Sequence, residues 1–302
     1  MPEVGPLGRL FAGLVVGGLS SLSRPALQRL AAFVGGLAWL LGIRRKLTLD
    51  NLRRALPELT ESRRREIAKG AYRNMALAAL ESLVSASVPD EALEAVVTLE
   101  NFELMEQMRA EGRGVLVATA HLGSWELLGE VLCRRGLPLH AVVRPLSGAI
   151  NARIIQSRLD AGIHLIHPRG AVNASVQALR EGAVVAMLVD QVIGPKHGVF
   201  VPFFGRPAST NPAIALAAKR SGAPVLVGVG VREGDSLRLH FEGPFPVPDT
   251  GDLQEDLRLH TEQITAALEK WIRRHPDQWM WLHRRWKVQP PPAASPGEPG
   301  LT

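Results

Sequence analysis

A histidine followed after four residues by a glutamate is the pattern in this chain best suited to chemistry: His121 and Glu126. A neutral imidazole can remove a proton near neutral pH, and a carboxylate on its other ring nitrogen fixes its tautomer and orientation. The base would activate either a side-chain nucleophile or a hydroxyl of the substrate. The chain has no Gly-x-Ser-x-Gly motif, and its one cysteine, Cys133, falls inside a predicted helix. The pattern therefore favours a substrate hydroxyl.

Two other interpretations of the pair compete with this one. A zinc site is the weaker of them, because His-Glu-x-x-His is absent and no cysteine ligands accompany the pair. A hydrogen-bonded pair with a purely structural role is, from the spacing alone, as good an interpretation as catalysis.

The elements around the pair predict where it lies. Val115–Ala120 is a short apolar, β-favouring run bounded by glycines, which is typical of a buried strand. Gly123 and Ser124 end the strand, and Ser124 can cap the helix that follows. His121 is then at the carboxyl end of a strand and Glu126 in the first turn of a helix. This edge of an open α/β sheet is where such folds bind their ligands.

Strands and helices alternate from Val96 onward, so the predicted fold class is α/β: a largely parallel central sheet flanked by helices, with an N-terminal helical membrane-associated region. The predicted strands are Val96–Glu100, Val115–Ala120, His140–Val143, His164–Ile166, Val184–Val189, Pro224–Val231 and Ser236–Gly243. The predicted helices between them are Glu103–Ala110, Ser124–Arg134, Ile150–Ala161, Ala171–Glu181, Asn211–Arg220 and Leu253–Arg274. The predicted divisions are apolar membrane-associating helices at 1–46, a helical accessory region at 47–95, an α/β catalytic domain at 96–287 and a disordered tail at 288–302.

The first part of the chain is the most apolar. Leu10–Leu19 and Leu30–Ile43 carry no charge, and the basic run 44–46 follows at once. The second run is shorter than the roughly 20 residues that a spanning helix needs. We expect one or two helices that lie in or dip into a membrane, with the basic run at anionic head groups. Buried helices of a soluble accessory region are the alternative. Helices are also expected at Asp50–Leu56 and Glu61–Val84, the latter capped by Thr60.

Five further polar residues are candidates for substrate binding: Arg144, Asp190, Gln191, Lys196 and Arg206. Arg144 ends a strand, where a guanidinium can bind a phosphate with paired hydrogen bonds. Asp190 and Gln191 end another strand at the same edge as His121, and positioning is favoured over direct catalysis for Asp190. Lys196 and Arg206 are candidates for phosphate contact, although loop cations are usually only solvated.

Aromatic residues form two further groups. Val192–Thr210 is expected to be a long connection, and its Phe200, Phe203 and Phe204 fit an acyl-chain groove or a small core under the loop equally well. The residues Trp279, Trp281 and Trp286 alternate with cations near the C terminus. That composition suits a membrane interface, but packing on the sheet is favoured for Trp279 and Trp281.

The composition restricts the classes of protein to which this chain can belong. The chain has 302 residues, long enough for one large domain with an accessory region. Lys and Arg number 35 against 29 Asp and Glu, a net charge of +6 that favours anionic lipids or an acidic carrier protein as partners. Aromatic residues are few and no nucleic-acid module is present, so nucleic acid is not an expected partner.

Four segments occurring in a fixed order resemble the late acyltransferases of lipid A biosynthesis, the lauroyl/myristoyl acyltransferase family. They are His121–Glu126, Asp190-Gln191, Val199–Ala208 and His275–Lys287. The resemblance runs from about Leu7 to Lys287, and the family lies within the glycerolipid acyltransferase superfamily, whose shared mark is His-x4-Asp/Glu. It implies an enzyme on the cytoplasmic face of a bacterial inner membrane. It also implies an arginine in the Arg-Pro segment, here Arg144.

The resemblance further implies a mechanism in which His121 is the general base and Glu126 holds it. The acyl donor is acyl-carrier protein or acyl-CoA, with the carrier protein preferred, and the acceptor is a hydroxyl of an anionic glycolipid, a lipid A precursor. No acyl-enzyme, metal or redox cofactor is implied. Another lipid acceptor, such as a lysophospholipid or a phosphatidylinositol mannoside, is the alternative substrate. A non-catalytic membrane-binding protein is the alternative class.

Overall fold

The computed structural model describes residues 6–144 and 148–291, so most of the predicted disordered tail lies outside the described residues. The helices are α1 (Pro6–Ser20), α2 (Arg24–Leu40), α3 (Arg45–Ala55), α4 (Glu61–Val84), α5 (Asp90–Glu94), α6 (Glu103–Ala110), α7 (Trp125–Arg134), α8 (Ala149–Asp160), α9 (Ala171–Arg180), α10 (Ala213–Ser221) and α11 (Leu253–Arg274). The strands are β1 (Val97–Glu100), β2 (Val115–Thr119), β3 (Leu139–Val142), β4 (His164–Ile166), β5 (Val184–Leu188), β6 (Val199–Phe203), β7 (Arg206–Thr210), β8 (Val225–Glu233) and β9 (Ser236–Phe245).

Seven strands form one sheet in the order β1-β9-β8-β2-β5-β3-β4. Every neighbouring pair is parallel except β8 and β9, which run antiparallel. The expected α/β architecture with a largely parallel sheet is confirmed. Helices cover both faces, and apolar cores lie on either side of the sheet.

Strand β2 lies at the centre of this sheet, between β8 and β5. All five of its residues are buried, as expected for an apolar strand with helices on both faces. Gly114, immediately before β2, has no room for a side chain, because a Cβ would overlap the backbone of Leu179. In the register of β2 with β5, Thr119 is opposite Leu188. The residues that follow these two strands therefore meet at one edge.

The expected long connection at Val192–Thr210 is wrong in its second half, where β6 and β7 form an antiparallel hairpin. Pro202 and Pro207 hide this hairpin in the sequence, because proline is disfavoured inside a sheet. A two-stranded hairpin tolerates them, and they pair opposite each other. Phe204 and Gly205 make the turn with positive φ angles of 52° and 66°, the conformation of a two-residue hairpin turn.

The N-terminal apolar runs form helices, as expected. Helix α2 packs on α4 so closely that a Cβ on Gly35 would lie 2.7 Å from the carbonyl oxygen of Tyr72. Its opposite side exposes apolar side chains, among them Phe33 at 68% and Leu40 at 75%. Over the described residues, no single helix has the length and hydropathy of a membrane span, whereas α2 and α3 pass that test together but with a 93° bend.

Helix α3 begins earlier than the expected Asp50 and packs against the C-terminal segment. The Asn51 side chain donates to the carbonyl oxygens of Trp281 and His283, each at 2.8 Å. The predicted cap of α4 is confirmed, because Thr60 Oγ1 accepts from the backbone N–H of Arg63 at 3.2 Å. These two helices contribute to the same apolar core as β2 and β5, and α3 thereby fixes the C-terminal segment beside the sheet edge.

Candidate active site

His121 and Asp190 form a hydrogen-bonded pair at the carboxyl edge of the sheet. His121 follows β2 and Asp190 follows β5, which lie side by side. The imidazole Nδ1 lies 2.8 Å from Asp190 Oδ1, and the backbone N–H of His121 donates to Oδ2 at 2.9 Å. The indole N–H of Trp279 donates to Oδ2 as well, at 2.8 Å. Three donors thus hold one carboxylate, which in turn fixes the ring.

Asp190 is ionised in the folded protein. Burial opposes its ionisation, but the charge of His121 and the hydrogen bonds from His121 and Trp279 outweigh burial and lower the pKa of Asp190 to about 2. An ionised carboxylate can only accept hydrogen bonds, so Nδ1 must carry the proton. In the neutral imidazole, Nε2 is then the unprotonated nitrogen, the one that can act as a base.

His121 Nε2 points to the open side of the sheet edge. Its neighbour there is the exposed side chain of Gln191, whose amide nitrogen lies 3.3 Å away. The edge of the His121 ring also packs against Trp125, with ring centroids 5.1 Å apart. A substrate hydroxyl that displaces the Gln191 amide can reach Nε2.

The expected contact between His121 and Glu126 is wrong in this structure, because Asp190 occupies the ring nitrogen assigned to Glu126. Glu126 instead accepts hydrogen bonds from Arg158 of α8, with Nε at 3.0 Å, and from the indole N–H of Trp125 at 3.0 Å. The cause is geometric: Asp190 follows the adjacent strand and faces His121, whereas Glu126 turns away with the first turn of α7. A catalytic part for Glu126 stays a prediction.

A buried polar network holds the backbone between His121 and α7. Ser124 stands at the start of α7, but its hydroxyl donates to Glu81 at 2.7 Å rather than capping an amide, which corrects the expected cap. Arg232 donates to the same oxygen of Glu81 at 2.6 Å. Asn74 donates to the carbonyl oxygen of Gly123 at 3.1 Å. Glu81 and Arg232 were not expected at the site, because each lies in a different element without a local motif.

The other predicted binding residues lie around this edge to different extents. Gln191 contacts His121, as described. Arg144 is exposed after β3, whose neighbour in the sheet is β5, so it shares the edge. Lys196 is exposed on the loop before β6. Arg206 is separate: its Nε donates to the carbonyl oxygen of Arg54, and the cleft it lines does not include His121.

The aromatic residues near the site are packed inside the protein. Trp279, Trp281 and Trp286 are all buried, which confirms packing for the first two. The rings of Phe203 and Trp279 lie 5.5 Å apart, and those of Phe204 and Trp281 lie 5.6 Å apart. The hairpin therefore supports, through Trp279, the carboxylate that holds His121.

Two cavities open on opposite faces of the sheet beside this edge. An apolar pocket under α7 is lined by Trp125, Glu126 and Arg158 at one end and by Leu132 and Ile163 among others. A larger cleft of about 360 Å³ lies on the other face. Its lining combines apolar strand residues with polar groups from α9, α10 and the loop after β5, including Asn173, His197 and Asn211.

Neither a cysteine nucleophile nor a metal cluster stands out in the described structure. Burial raises the pKa of the Cys133 thiol to about 11, so a thiolate is disfavoured there. Among the described residues, no three His, Cys, Asp or Glu side chains form a group suited to a metal ion.

The fold is α/β, and at the carboxyl edge of its sheet a buried carboxylate orients a histidine, an arrangement suited to an enzyme that activates a substrate hydroxyl. Comparison with known proteins makes this class specific. The family of bacterial lipid A biosynthesis acyltransferases matches residues 8–288, and the chain belongs to that family.

Three relatives from Escherichia coli (strain K12) are similar over most of their length. The chain is 28% identical to lipid A biosynthesis palmitoleoyltransferase, over 89% of this chain and 87% of that protein. It is 27% identical to lipid A biosynthesis lauroyltransferase, over 89% and 88%. It is 23% identical to lipid A biosynthesis myristoyltransferase, over 90% and 83%. Acyl transfer is therefore the activity of this chain.

Proposed function

We propose that this enzyme transfers a fatty acyl chain from the thioester of an acyl-carrier protein to a hydroxyl of a lipid A precursor at the cytoplasmic face of the inner membrane. The observation that carries the mechanism is the hydrogen bond of 2.8 Å between His121 Nδ1 and Asp190. It leaves Nε2 unprotonated at the open edge of the sheet. Family membership and the three relatives support the acceptor class.

The reaction proceeds without an acyl-enzyme. His121 Nε2 takes the proton of the acceptor hydroxyl as that oxygen attacks the thioester carbonyl carbon. The buried charge of Asp190 stabilises the imidazolium that forms. The tetrahedral intermediate then expels the carrier thiolate as the carbon–sulfur bond breaks, and the imidazolium returns its proton to sulfur. Asp190 thus acts as the positioning carboxylate that the sequence assigned to Glu126.

The start of α7 brings positive charge to the developing oxyanion. The first turn of α7 begins four residues after His121, and the amide groups at a helix N terminus lack partners inside the helix. Arg158 lies at the same end of the apolar pocket, but the ion pair with Glu126 compensates its charge. Oriented backbone donors typically contribute roughly 10²–10³-fold to rate.

The apolar pocket under α7 is the proposed site of the acyl chain, because it begins at Trp125 beside His121 and ends among aliphatic side chains. It encloses about 60 Å³, about the volume of two water molecules in the liquid. A fatty acyl chain therefore enters only if α7 or α8 moves outward. The larger cleft on the other face is lined partly by polar groups, as binding of a sugar or of the pantetheine arm requires.

Mass spectrometry of the reaction tests this proposal. Purified enzyme is given acyl-carrier protein and an under-acylated lipid A precursor, and the product is expected to gain the mass of one acyl group. His121→Ala is the matched control and should reduce the product by roughly 10²–10⁴-fold while the protein stays folded. If product forms only with a lysophospholipid, that lipid is the acceptor instead of a lipid A precursor. A folded His121→Ala enzyme that works at the wild-type rate would reject the base.

A further inference from the structure

Residues 4–49, 191–232 and 278–291 are three of the long stretches of the chain that contain no aspartate or glutamate. Residues 131–159 lack acidic residues as well, and in each of the three stretches named above every charged side chain is basic. They are far apart along the chain, and a shared location in the fold would concentrate their charge.

The fold brings the three stretches together at two adjacent residues, Leu282 and His283. The backbone N–H of Val192 donates to His283 Nε2 at 3.0 Å. Arg44 donates to the carbonyl oxygen of the preceding residue, Leu282, at 3.1 Å. Since Val192 follows Asp190 and Gln191 directly, the meeting point lies next to the catalytic histidine.

Five exposed cations belong to the segments that meet here, and we call them the cationic rim: Arg45, Lys46, Lys196, Arg284 and Lys287. None of them forms an ion pair with a carboxylate of the described residues. Arg53, by contrast, is paired with Asp50 and Glu61. The rim therefore retains its positive charge for a partner.

The rim differs from the apolar surface of the first two helices. The exposed large apolar side chains include Leu40, Leu41 and Ile43, next to the Arg45 end of the rim. In 191–210 and 278–291, no large apolar side chain is exposed among the described residues. One end of the rim thus borders a surface suited to a bilayer, while the rest offers charge without side chains to insert. An acidic protein surface matches that part better than a membrane does.

We propose that the cationic rim is the docking surface for the acidic carrier protein that delivers the acyl thioester to His121, an inference that rests on the proposed acyl transfer. A carrier bound there holds its prosthetic arm at the mouth where Nε2 is exposed. Contacts between exposed charges act mainly on association and are screened by salt, with a Debye length of about 8 Å at physiological ionic strength. Carrier-dependent turnover should accordingly fall as salt rises.

The test compares two donors that carry the same lauroyl thioester, one on acyl-carrier protein and one on pantetheine alone. The full-length enzyme is assayed in detergent as Arg284→Glu/Lys287→Glu. The matched control is Arg135→Glu/Arg180→Glu, which makes the same charge change on exposed residues at the amino edge of the sheet. The rim variant should raise the KM for the carrier donor by about tenfold or more, a loss of about 1.4 kcal/mol. The KM for acyl-pantetheine should stay within about twofold, and the salt dependence should flatten.

Each other outcome overturns the proposal. An equal rise in KM for both donors would mean that the rim binds the acceptor or stabilises the fold, and does not bind the carrier protein. An equal rise in the carrier KM of the control variant would show that the effect comes from the net charge of the protein and not from the rim. Loss of binding to anionic vesicles with an unchanged carrier KM would make the rim a membrane contact. If the wild type transfers acyl groups from neither donor, the proposed function fails separately, and calorimetric binding of the carrier protein to the two variants still decides the docking surface.

Discussion

Two carboxylates lie near His121, and their contacts give them different parts. Asp190 holds Nδ1 of His121 and is buried with its charge, whereas Glu126 is paired with Arg158 at the mouth of the apolar pocket. A buried anion beside the imidazole lowers the energy of the imidazolium that forms during proton transfer. Glu126 and Arg158 compensate each other electrostatically, so their effect on His121 is indirect.

Substitution at Asp190 and His121 tests this division. Asp190→Asn should lower kcat by roughly 10²–10⁴-fold, because an amide no longer selects the tautomer with a free Nε2. The double variant with His121→Ala should be little worse than either single variant, since the two residues act as a unit. Glu126→Gln serves as the comparison. The opposite outcome is that the effect of Glu126→Gln, and not that of Asp190→Asn, fails to add to the effect of His121→Ala. Glu126 would then be the partner of the base, and the geometry described above would be wrong for the working enzyme.

At the scale of elements, α7 joins the site to the apolar pocket. Gly129 lies in the middle of this helix, and a Cβ there would touch the side chains of Ile163 and Leu139 at 3.4 Å. A larger residue would therefore fill the pocket from its wall. Glycine is also a poor helix residue, so a replacement need not destabilise α7.

Gly129→Leu should shift the preferred acyl chain to a shorter one. A pocket discriminates one methylene by about 1–3 kcal/mol, so a filled pocket should disfavour the longest accepted donor by roughly 10-fold or more. The measurement is kcat/KM over a series of acyl-carrier donors, with Gly129→Ala as the smaller step. A loss of kcat/KM that is uniform across all chain lengths would indicate that α7 is disrupted. It would also contradict the placement of the acyl chain in this pocket.

The exposed side of α2 is the element on which the membrane proposal depends. Phe33→Ser/Leu40→Ser should weaken binding to anionic vesicles by at least about tenfold, because burying each large apolar side chain contributes about 1.5–3 kcal/mol. Leu253→Ser changes an exposed leucine at the start of α11 and is the matched control. Co-sedimentation with vesicles gives the answer. Equal binding by wild type and the α2 variant would reject this face as the membrane contact.

The sequence predicted elements well where a local pattern decides them. Helices α6, α4 and α11 were predicted with the bounds that the structure has, because each has a clear amphipathic or capped pattern. The β6–β7 hairpin was missed, since two prolines concealed the alternation of its strands. The partner of His121 was misassigned for a different reason. Spacing along the chain points to Glu126, but the pairing of β2 with β5, a contact between residues 69 positions apart, brings Asp190 there instead.

For the whole molecule, histidines with lowered pKa values predict how stability depends on pH. Burial lowers the pKa of His140, His260, His275 and His283, and that of His283 falls to about 4. His283 is neutral at pH 7 and accepts the hydrogen bond from Val192 that joins two of the three basic stretches. Nearby cations add to the effect of burial on His283, while the charge of Asp190 opposes it.

Stability should fall on mild acidification. The pKa of His283 is about 4 in the folded protein against an ordinary value of 6.5, so between these values the unfolded chain binds more protons. The free energy of unfolding is then highest above pH 6.5 and decreases as the pH falls toward 4. Asp190, with a lowered pKa, makes stability depend on pH only below about pH 4, where its stabilising charge begins to be lost.

Thermal unfolding of the detergent-solubilised enzyme from pH 7.5 to 5 should show a falling Tm. His283→Gln should reduce the slope, because glutamine does not take up a proton. A Tm that is flat over this range in the wild type, or a slope that is unchanged in the variant, would contradict the neutral buried imidazole at the meeting point of the three stretches.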